Sequence, residues 1–178
     1  MNNPQESVDH SKKNDYRTIE QTMEKFSGGT RRLAAQLTTS ASFDSLWNVL
    51  TDYDRLNLYI PNLLSSKKIY QKNNNVHLKQ VGAQDFLGMK FSAEVTIDLF
   101  EDKELGILKF NLIKGDFRKF EGSWKIQNIK NTSKNSLIYD LTVQGCQWMP
   151  IGMIEKRLKK DLSENLIAVD RQAKSSKN

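Results

Sequence analysis

The sequence predicts an α+β fold in which a curved antiparallel sheet of about seven strands wraps around one long C-terminal helix. Two observations support this prediction. Strand-like segments separated by turn-forming residues run from about residue 63 to residue 147, and an amphipathic helix opened by Pro150 follows them. The dry face of such a sheet must be covered, and the helix supplies the cover. A chain of 178 residues holds one ordinary domain rather than two.

The N-terminal segment is expected to be a disordered tail over residues 1–29, and the folded domain is expected over residues 30–174. The tail is polar and rich in Asn, Ser, Lys and Gln, with too little apolar area to offset the entropy of ordering. Ile19, Met23 and Phe26 share one helical face and would dock only as a short turn, because two glycines then break the chain.

One strand and two short helices are expected before the main series of strands. The strand begins at Thr30, where apolar and polar residues start to alternate. Ser42 is placed to cap a helix whose apolar residues recur at spacings of three and four, namely Phe43, Leu46, Trp47 and Leu50. A second short helix is expected from Asp54 to Tyr59, because Pro61 pushes the residue before it out of the helical region.

Six further strands are expected near residues 63–71, 75–86, 90–102, 105–115, 117–130 and 135–147. Alternation is clearest in the third of these, where the apolar residues share one face: Phe91, Ala93, Val95, Ile97 and Leu99. The final helix carries an apolar stripe at helical spacing, formed by Ile154, Leu158, Leu162, Leu166 and Val169. The stripe is expected to face the dry side of the sheet.

Composition excludes several classes of protein. No stretch approaches the ~20 apolar residues that a membrane span requires, and the first 30 residues hold five acidic residues and no apolar run, unlike a secretory signal or transit peptide. A cytoplasmic location is therefore expected. Cys146 is the only cysteine, so neither an intrachain disulfide nor a thiolate metal cluster can form. The net charge of +6 is spread over several segments, which argues against a nucleic-acid groove.

Candidate catalytic groups are few. His77 is the only histidine in the predicted domain, and no glycine-rich phosphate loop is present, so no metal, cofactor or catalytic residue is predicted. Glu94 and Asp98 could pair their carboxylates for acid/base work. Their positions place them on the strand face opposite Phe91 and Val95, which is the solvated face.

Several segments resemble those of a known family. The most specific is Trp47-Asn-Val-Leu-Thr-Asp-Tyr53-Asp-Arg-Leu followed by Tyr59-Ile-Pro61-Asn62-Leu63. Supporting segments are Gln80-Val-Gly-Ala-Gln84, the run from Gly115 to Trp124, and the run from Pro150 to Leu158 with Asp161-Leu. Over roughly residues 31–173 the chain resembles the START-like or helix-grip superfamily (SRPBCC). Within it, the chain is similar to bacterial and plastid-type members of the polyketide cyclase/dehydrase and coenzyme Q-binding branch.

The resemblance implies an apolar cavity between the sheet and the C-terminal helix. From the residues alone, a filled core is the alternative, because periodicity does not distinguish the two. The candidate cavity residues are Phe91, Val95, Phe110, Phe120, Trp124, Tyr139, Trp148, Met149, Ile151, Ile154 and Leu158. Among them, Tyr139 and Trp148 carry polar atoms that could orient a ligand headgroup. Met149, Ile151 and Met153 could form a pliable gate.

The implied function is binding or carrying a hydrophobic small molecule such as a lipid, a prenylquinone or a polyketide-like compound, without catalysis. Arg157 and Lys160 could help the protein to dock on an anionic membrane surface. One alternative is a cyclase or dehydratase that acts through cavity tyrosines or carboxylates such as Tyr139 and Asp140. Another is an interaction module for RNA or the ribosome, since the branch also resembles a ribosome-associated toxin.

Overall fold

The computed structural model describes residues 19–86, 89–147, 149 and 151–175, and for residues 84–86, 89, 90, 151, 153 and 154 it describes the backbone alone. The eight strands are β1 (Ile19–Lys25), β2 (Arg31–Thr39), β3 (Leu63–Lys72), β4 (Asn75–Phe86), β5 (Met89–Asp102), β6 (Ile107–Gly115), β7 (Phe117–Asn128) and β8 (Asn135–Gly145). The helices are α1 (Phe43–Thr51) and α2 (Ile151–Ser175), with 3-10 turns at Ser27–Gly29 and Tyr53–Leu58.

All eight strands form one antiparallel sheet in the order β1-β2-β8-β7-β6-β5-β4-β3. The chain therefore starts at one edge, crosses to the other edge through α1, and returns strand by strand. The sheet is curved, and its concave face holds α1 and α2. The predicted α+β helix-grip architecture is confirmed, including the two short helical segments between β2 and β3.

The N-terminal prediction does not hold for residues 19–29. Residues 19–25 form β1, which pairs with β2 from Ile19 opposite Leu37 to Lys25 opposite Arg31. The spacing of Ile19 and Met23 suits a helical face, but it equally places both residues on one face of a strand, where they pack against the core. Two glycines with φ of 65° and 77° then reverse the chain. The sheet thus has eight strands rather than about seven, and residues 1–18 lie outside the described residues.

Local sequence signals fix the segments after β2. The Ser42 side chain accepts a hydrogen bond from the backbone N of Ser45 at 3.2 Å, which caps α1 as expected. Four apolar residues of α1 are buried against the concave face: Leu46, Trp47, Val49 and Leu50. The 3-10 turn ends at Leu58, three residues before Pro61, as the proline predicts. These segments bring the chain to the start of β3 beside α2.

One flank of α2 is tied to β1 and β2. Glu155 pairs with Lys25 at 3.0 Å and with Arg31 at 2.6 Å, and the amide of Gln21 donates to the carbonyl oxygen of Lys159 at 2.7 Å. Odd-numbered residues of β1 face inward, so the strand missed by sequence reasoning is the one that holds the N-terminal half of the helix.

The C-terminal half of α2 is anchored by a buried carboxylate. Asp170 is 1% exposed, accepts a hydrogen bond from Thr39 and pairs with Lys174 at 3.0 Å. Around it, Leu162, Leu166 and Val169 are buried in the main core. In the described part of the chain, no helix combines the length and the apolar character needed to cross a membrane.

Candidate functional site

A cavity of about 300 Å³ lies between the concave face of the sheet and α2. Side chains alternate between the two faces along each strand, so the inward side chains of neighbouring strands meet on one face and form the wall of the cavity. The sheet contributes mainly apolar side chains, including Phe91, Ala93, Val95, Phe110, Phe120, Trp124 and Tyr139. The helix contributes Leu158, Leu162 and Val169, and the segment before β3 contributes Ile60, Pro61 and Asn62.

Most of the predicted cavity residues meet at this wall. Eight of the eleven line the cavity: Phe91, Val95, Phe110, Phe120, Trp124, Tyr139, Met149 and Leu158. Trp148 lies outside the described residues, and the side chains of Ile151, Met153 and Ile154 also lie outside them. Met149 is buried, with 8% of its surface exposed, and packs with Val143 beside Phe117 and Phe120.

Aromatic rings cover one side of the cavity. The rings of Trp124 and Tyr139 stack with centroids 4.0 Å apart and planes 8° apart, and Phe110 lies 5.6 Å from Phe120. Gly122 lies between these strand positions, and a Cβ there would approach Phe110 Cζ to 2.9 Å and would clash with the Asp140 carbonyl oxygen. The glycine therefore lets the Phe110 ring pack against β7, so that the rings form a continuous apolar surface.

Next to the aromatic side, the cavity wall carries a polar cluster formed by Arg157, Asp161, Asn62 and Tyr139. Arg157 Nε lies 3.2 Å from Asp161 Oδ1, an ion-pair distance without the alignment of a hydrogen bond. The amide of Asn62 donates to the same carboxylate oxygen at 3.5 Å. Arg157 and Asp161 are one turn apart on α2, so both point toward the start of β3.

Tyr139 links the polar cluster to the aromatic side. It is buried, with 8% exposed, and burial together with the nearby negative charge of Asp161 raises the pKa of its phenol well above the ordinary value. The phenol therefore stays protonated at physiological pH. In this protonated form the phenol can donate or accept a hydrogen bond, but it cannot act as a base.

Sequence reasoning missed Arg157 and Asp161 as cavity residues. Membrane docking is the role that the sequence suggests for Arg157, yet the residue lines the cavity. A helical projection places Asp161 at the border of the apolar stripe, because the residue directly precedes Leu162 and follows Leu158 by three residues. This position was the available sign that Asp161 could face the cavity. The position of Asn62 depends on how the segment before β3 packs, which no local pattern specifies.

The structure separates Asp140 from the cavity. Asp140 lies on the outer face of β8, where its carboxylate pairs with Arg32 at 2.7 Å. The carboxylate inside the cavity is that of Asp161, so the expectation that Asp140 acts in the cavity is wrong, whereas Tyr139 does line the cavity. The physical reason is strand alternation, which points neighbouring side chains to opposite faces.

The other candidate acids are on the outer face as predicted. Glu94 pairs with Lys79 at 3.0 Å, and Asp98 lies 3.5 Å from His77, with the side chains of all four between 38% and 46% exposed. Within the described ranges, no three His, Cys, Asp or Glu side chains are grouped to hold a metal ion. Cys146 is half-buried, and its thiol donates to the Asp116 carbonyl oxygen at 2.6 Å.

Two other polar groups of the wall are bonded to the protein, whereas the buried side-chain oxygen of Asn165 has no hydrogen-bond partner within the described part of the chain. The Tyr53 hydroxyl donates to Glu101 at 2.6 Å, and burial and then this bond raise the pKa of Tyr53. Gln80 donates to the Ser66 hydroxyl at 3.2 Å. Among the described lining residues, Arg157 and Asp161 are the only charged ones. The polar cluster is therefore the part of the wall that can discriminate ligands by charge.

Comparison with known proteins agrees with this architecture. The family model described as polyketide cyclase/dehydrase and lipid transport matches residues 39–170. No curated protein matches the chain significantly. Among solved structures, the chain is similar to a STAR-related lipid transfer protein fragment from Xanthomonas axonopodis, with a TM-score of 0.77 and 11% identity, over 90% of this chain and 96% of that one.

Two further structures have the same fold. The Zhui aromatase/cyclase from Streptomyces sp. R1128 matches with a TM-score of 0.70 and 14% identity, over 82% of this chain and 94% of that one. A protein from Thermus thermophilus matches with a TM-score of 0.68 and 17% identity, over 83% of this chain and 99% of that one. At such identities these likenesses establish the fold alone.

Proposed function

The chain belongs to the polyketide cyclase/dehydrase and lipid transport family, and we propose that it binds a small hydrophobic molecule in the cavity as a carrier rather than an enzyme. The observation that supports this proposal is the cavity of about 300 Å³. Protein interiors are normally packed to the density of organic crystals. A cavity of this size with mainly apolar walls at the centre of the fold therefore favours a binding site for a hydrophobic molecule.

The cavity volume limits the size of the ligand. Small-molecule sites span about 300–1,000 Å³, so this cavity lies at the lower end. A single-chain lipid, a prenylquinone head or a compound of two or three rings fits this range better than a two-chain lipid. Burying roughly 300 Å² of apolar ligand surface would contribute about 7 kcal/mol before the cost of association.

Loading from a membrane surface is the proposed partner interaction. Lys156, Lys159 and Lys160 are exposed on the outer side of α2, next to the helix flank that closes the cavity. They take the place of Arg157, which faces inward. Clustered lysines attract anionic lipid headgroups. The outer face of the sheet, in contrast, mixes paired cations and anions, such as Lys79 with Glu94, and offers little to RNA.

A tryptophan placed in the cavity tests the carrier proposal. Ala93 lines the cavity on the inner face of β5, whereas Ala34 lies on the outer face of β2. Wild-type protein titrated with the neutral probe N-phenyl-1-naphthylamine should show saturable one-to-one binding. Ala93→Trp should weaken binding at least tenfold because the indole occupies the ligand's space, and the matched Ala34→Trp should bind as wild type. Circular dichroism checks the fold of both variants, and Val95→Phe repeats the test with a smaller change.

The same protein should carry a natural ligand in native mass spectrometry when it is purified from cells without denaturation. Solvent extraction then identifies the class of compound. Absence of saturable probe binding by wild-type protein, or equal binding by the inner-face and outer-face variants, would contradict the carrier proposal.

Cyclase or dehydratase activity is the second candidate function. The observation that favours it is that Tyr139 and Asp161 lie in the same cavity, so a hydrogen-bond donor and a carboxylate face one bound molecule. Turnover of a polyketide-like substrate that is lost in Tyr139→Phe, while probe affinity is retained, would support catalysis over carriage. Binding without turnover would support the carrier.

A further inference from the structure

The polar cluster carries one positive and one negative charge on a wall that is otherwise uncharged among the described residues. Arg157 and Asp161 face each other at 3.2 Å on α2, and their side chains are 23% and 18% exposed. The amide of Asn62 donates a hydrogen bond to the same carboxylate. The pair therefore brings almost no net charge to the cavity, although each partner is strongly polar.

We propose that the polar cluster selects a ligand whose head is an uncharged hydroxyl or keto oxygen, and that it rejects carboxylate and phosphate heads. The inference rests on the proposed function, because it assigns a ligand class to the same cavity. The charge of Arg157 is already balanced by Asp161, so an anionic head would find no unbalanced cation and would come close to a carboxylate.

The hydrogen-bonding groups match a neutral head. Asp161 offers acceptor oxygens, while Asn62 offers amide donors and the protonated Tyr139 can donate or accept. A hydroxyl group both donates and accepts, so it can bond to the carboxylate and to a donor at the same time. A keto oxygen can accept from the Tyr139 phenol. A carboxylate only accepts, and it would leave the Asp161 oxygens facing a like charge.

The aromatic side of the cavity would hold a ring system of the ligand next to its polar head group. Tyr139 belongs to the polar cluster and also stacks on Trp124 at 4.0 Å. A ligand that bonds to the Tyr139 hydroxyl therefore has its body against the rings of Trp124 and Phe110. Ring systems bearing a phenolic hydroxyl or a ring ketone satisfy both sides of the cavity.

Three compounds with one ring system test the inference: naphthalene, 1-naphthol and 1-naphthoate. We expect isothermal titration calorimetry of wild-type protein at pH 7 to rank 1-naphthol tightest and to place 1-naphthoate at least tenfold weaker. Equal or tighter binding of 1-naphthoate would overturn the inference while leaving the carrier proposal intact. Failure of all three compounds and of N-phenyl-1-naphthylamine to bind would overturn both.

Removing the negative partner of the ion pair and removing the positive partner should have opposite effects on the affinity for 1-naphthoate. Asp161→Asn leaves Arg157 unbalanced, so 1-naphthoate should bind at least tenfold more tightly than to wild type, and 1-naphthol more weakly. Arg157→Gln leaves the carboxylate unbalanced, so 1-naphthoate should lose affinity further. Asp140→Asn is the matched control, because it breaks an aspartate–arginine pair on the outer face. The ranking of the three compounds should not change in that variant, and a change as large as that in Asp161→Asn would contradict the assignment to the cavity.

Discussion

Replacing each of two leucines on α2 with alanine, and comparing the two variants, distinguishes a cavity from a filled core. Leu166 is fully buried and does not line the cavity, whereas Leu158, two turns earlier, is half-buried and lines it. Leu166→Ala opens a new void in packed surroundings, and such changes cost about 2.7–5.0 kcal/mol. Leu158→Ala only enlarges an existing space, so its cost is limited to about 1–2 kcal/mol of lost apolar burial.

Thermal unfolding followed by circular dichroism measures this difference. In a domain of this size each kcal/mol lowers Tm by about 2–4 °C, so Leu166→Ala should lower Tm by roughly 10 °C and Leu158→Ala by about 5 °C or less. N-phenyl-1-naphthylamine at about 100 times its Kd should stabilise wild type and Leu166→Ala by about 2.7 kcal/mol. Leu158→Ala should lose part of that gain, because the Leu158 side chain lines the cavity. Equal Tm losses and equal ligand responses in the two variants would refute the cavity.

Two further predictions concern the anchoring of α2. The hydrogen bond from Arg31 lowers the pKa of Glu155, so its ionised form stabilises the fold at neutral pH, and that stability is lost as pH falls below about 4.3. Glu155→Gln should therefore lower Tm at pH 7, with a difference that shrinks toward pH 3; a difference independent of pH would exclude this linkage. Asp170→Ala removes the buried acceptor of the Thr39 hydroxyl and should cost about 1–3 kcal/mol in urea unfolding. Glu164→Ala, at an exposed pair, should cost below about 1 kcal/mol, and similar costs for both would contradict the buried-anchor argument.

The strands and α2 could be predicted because their burial follows a simple period. In β5, apolar and polar residues alternate over nine positions from Phe91 to Leu99, and only one face of a sheet can bury that pattern. The strand β1 could not be predicted in this way. Its inward residues alternate between apolar Ile19 and Met23 and polar Gln21 and Lys25, and the polar two are needed for bonds to α2. The bonding partner of Lys25 lies 130 residues away in the chain, so the local sequence of β1 does not reveal why its inward residues are polar.

The cavity wall was predictable to a similar degree as the strands. The alternation of side chains along the strands places Phe110, Phe120 and Trp124 on one surface. The same alternation occurs in a filled core and around a cavity. The polar cluster was predictable only in part, because a helical projection places Arg157 and Asp161 at the border of the apolar stripe, where they look the same as an ordinary exposed ion pair. Only the packing of the segment before β3 against α2 turns that border inward.

The anchoring of α2 explains how the cavity can persist. An empty apolar void forfeits dispersion contacts along its whole wall, and a helix free to move would settle into it. Here one flank of α2 is fixed to β1 and β2 through Glu155 and the carbonyl of Lys159, while Asp161 on the other flank bonds to Asn62 before β3. With both flanks held, the helix spans the concave face without collapsing on the aromatic side. Under the proposed carrier function, a ligand would therefore enter a preformed space, and its binding would require little reorganisation of the protein.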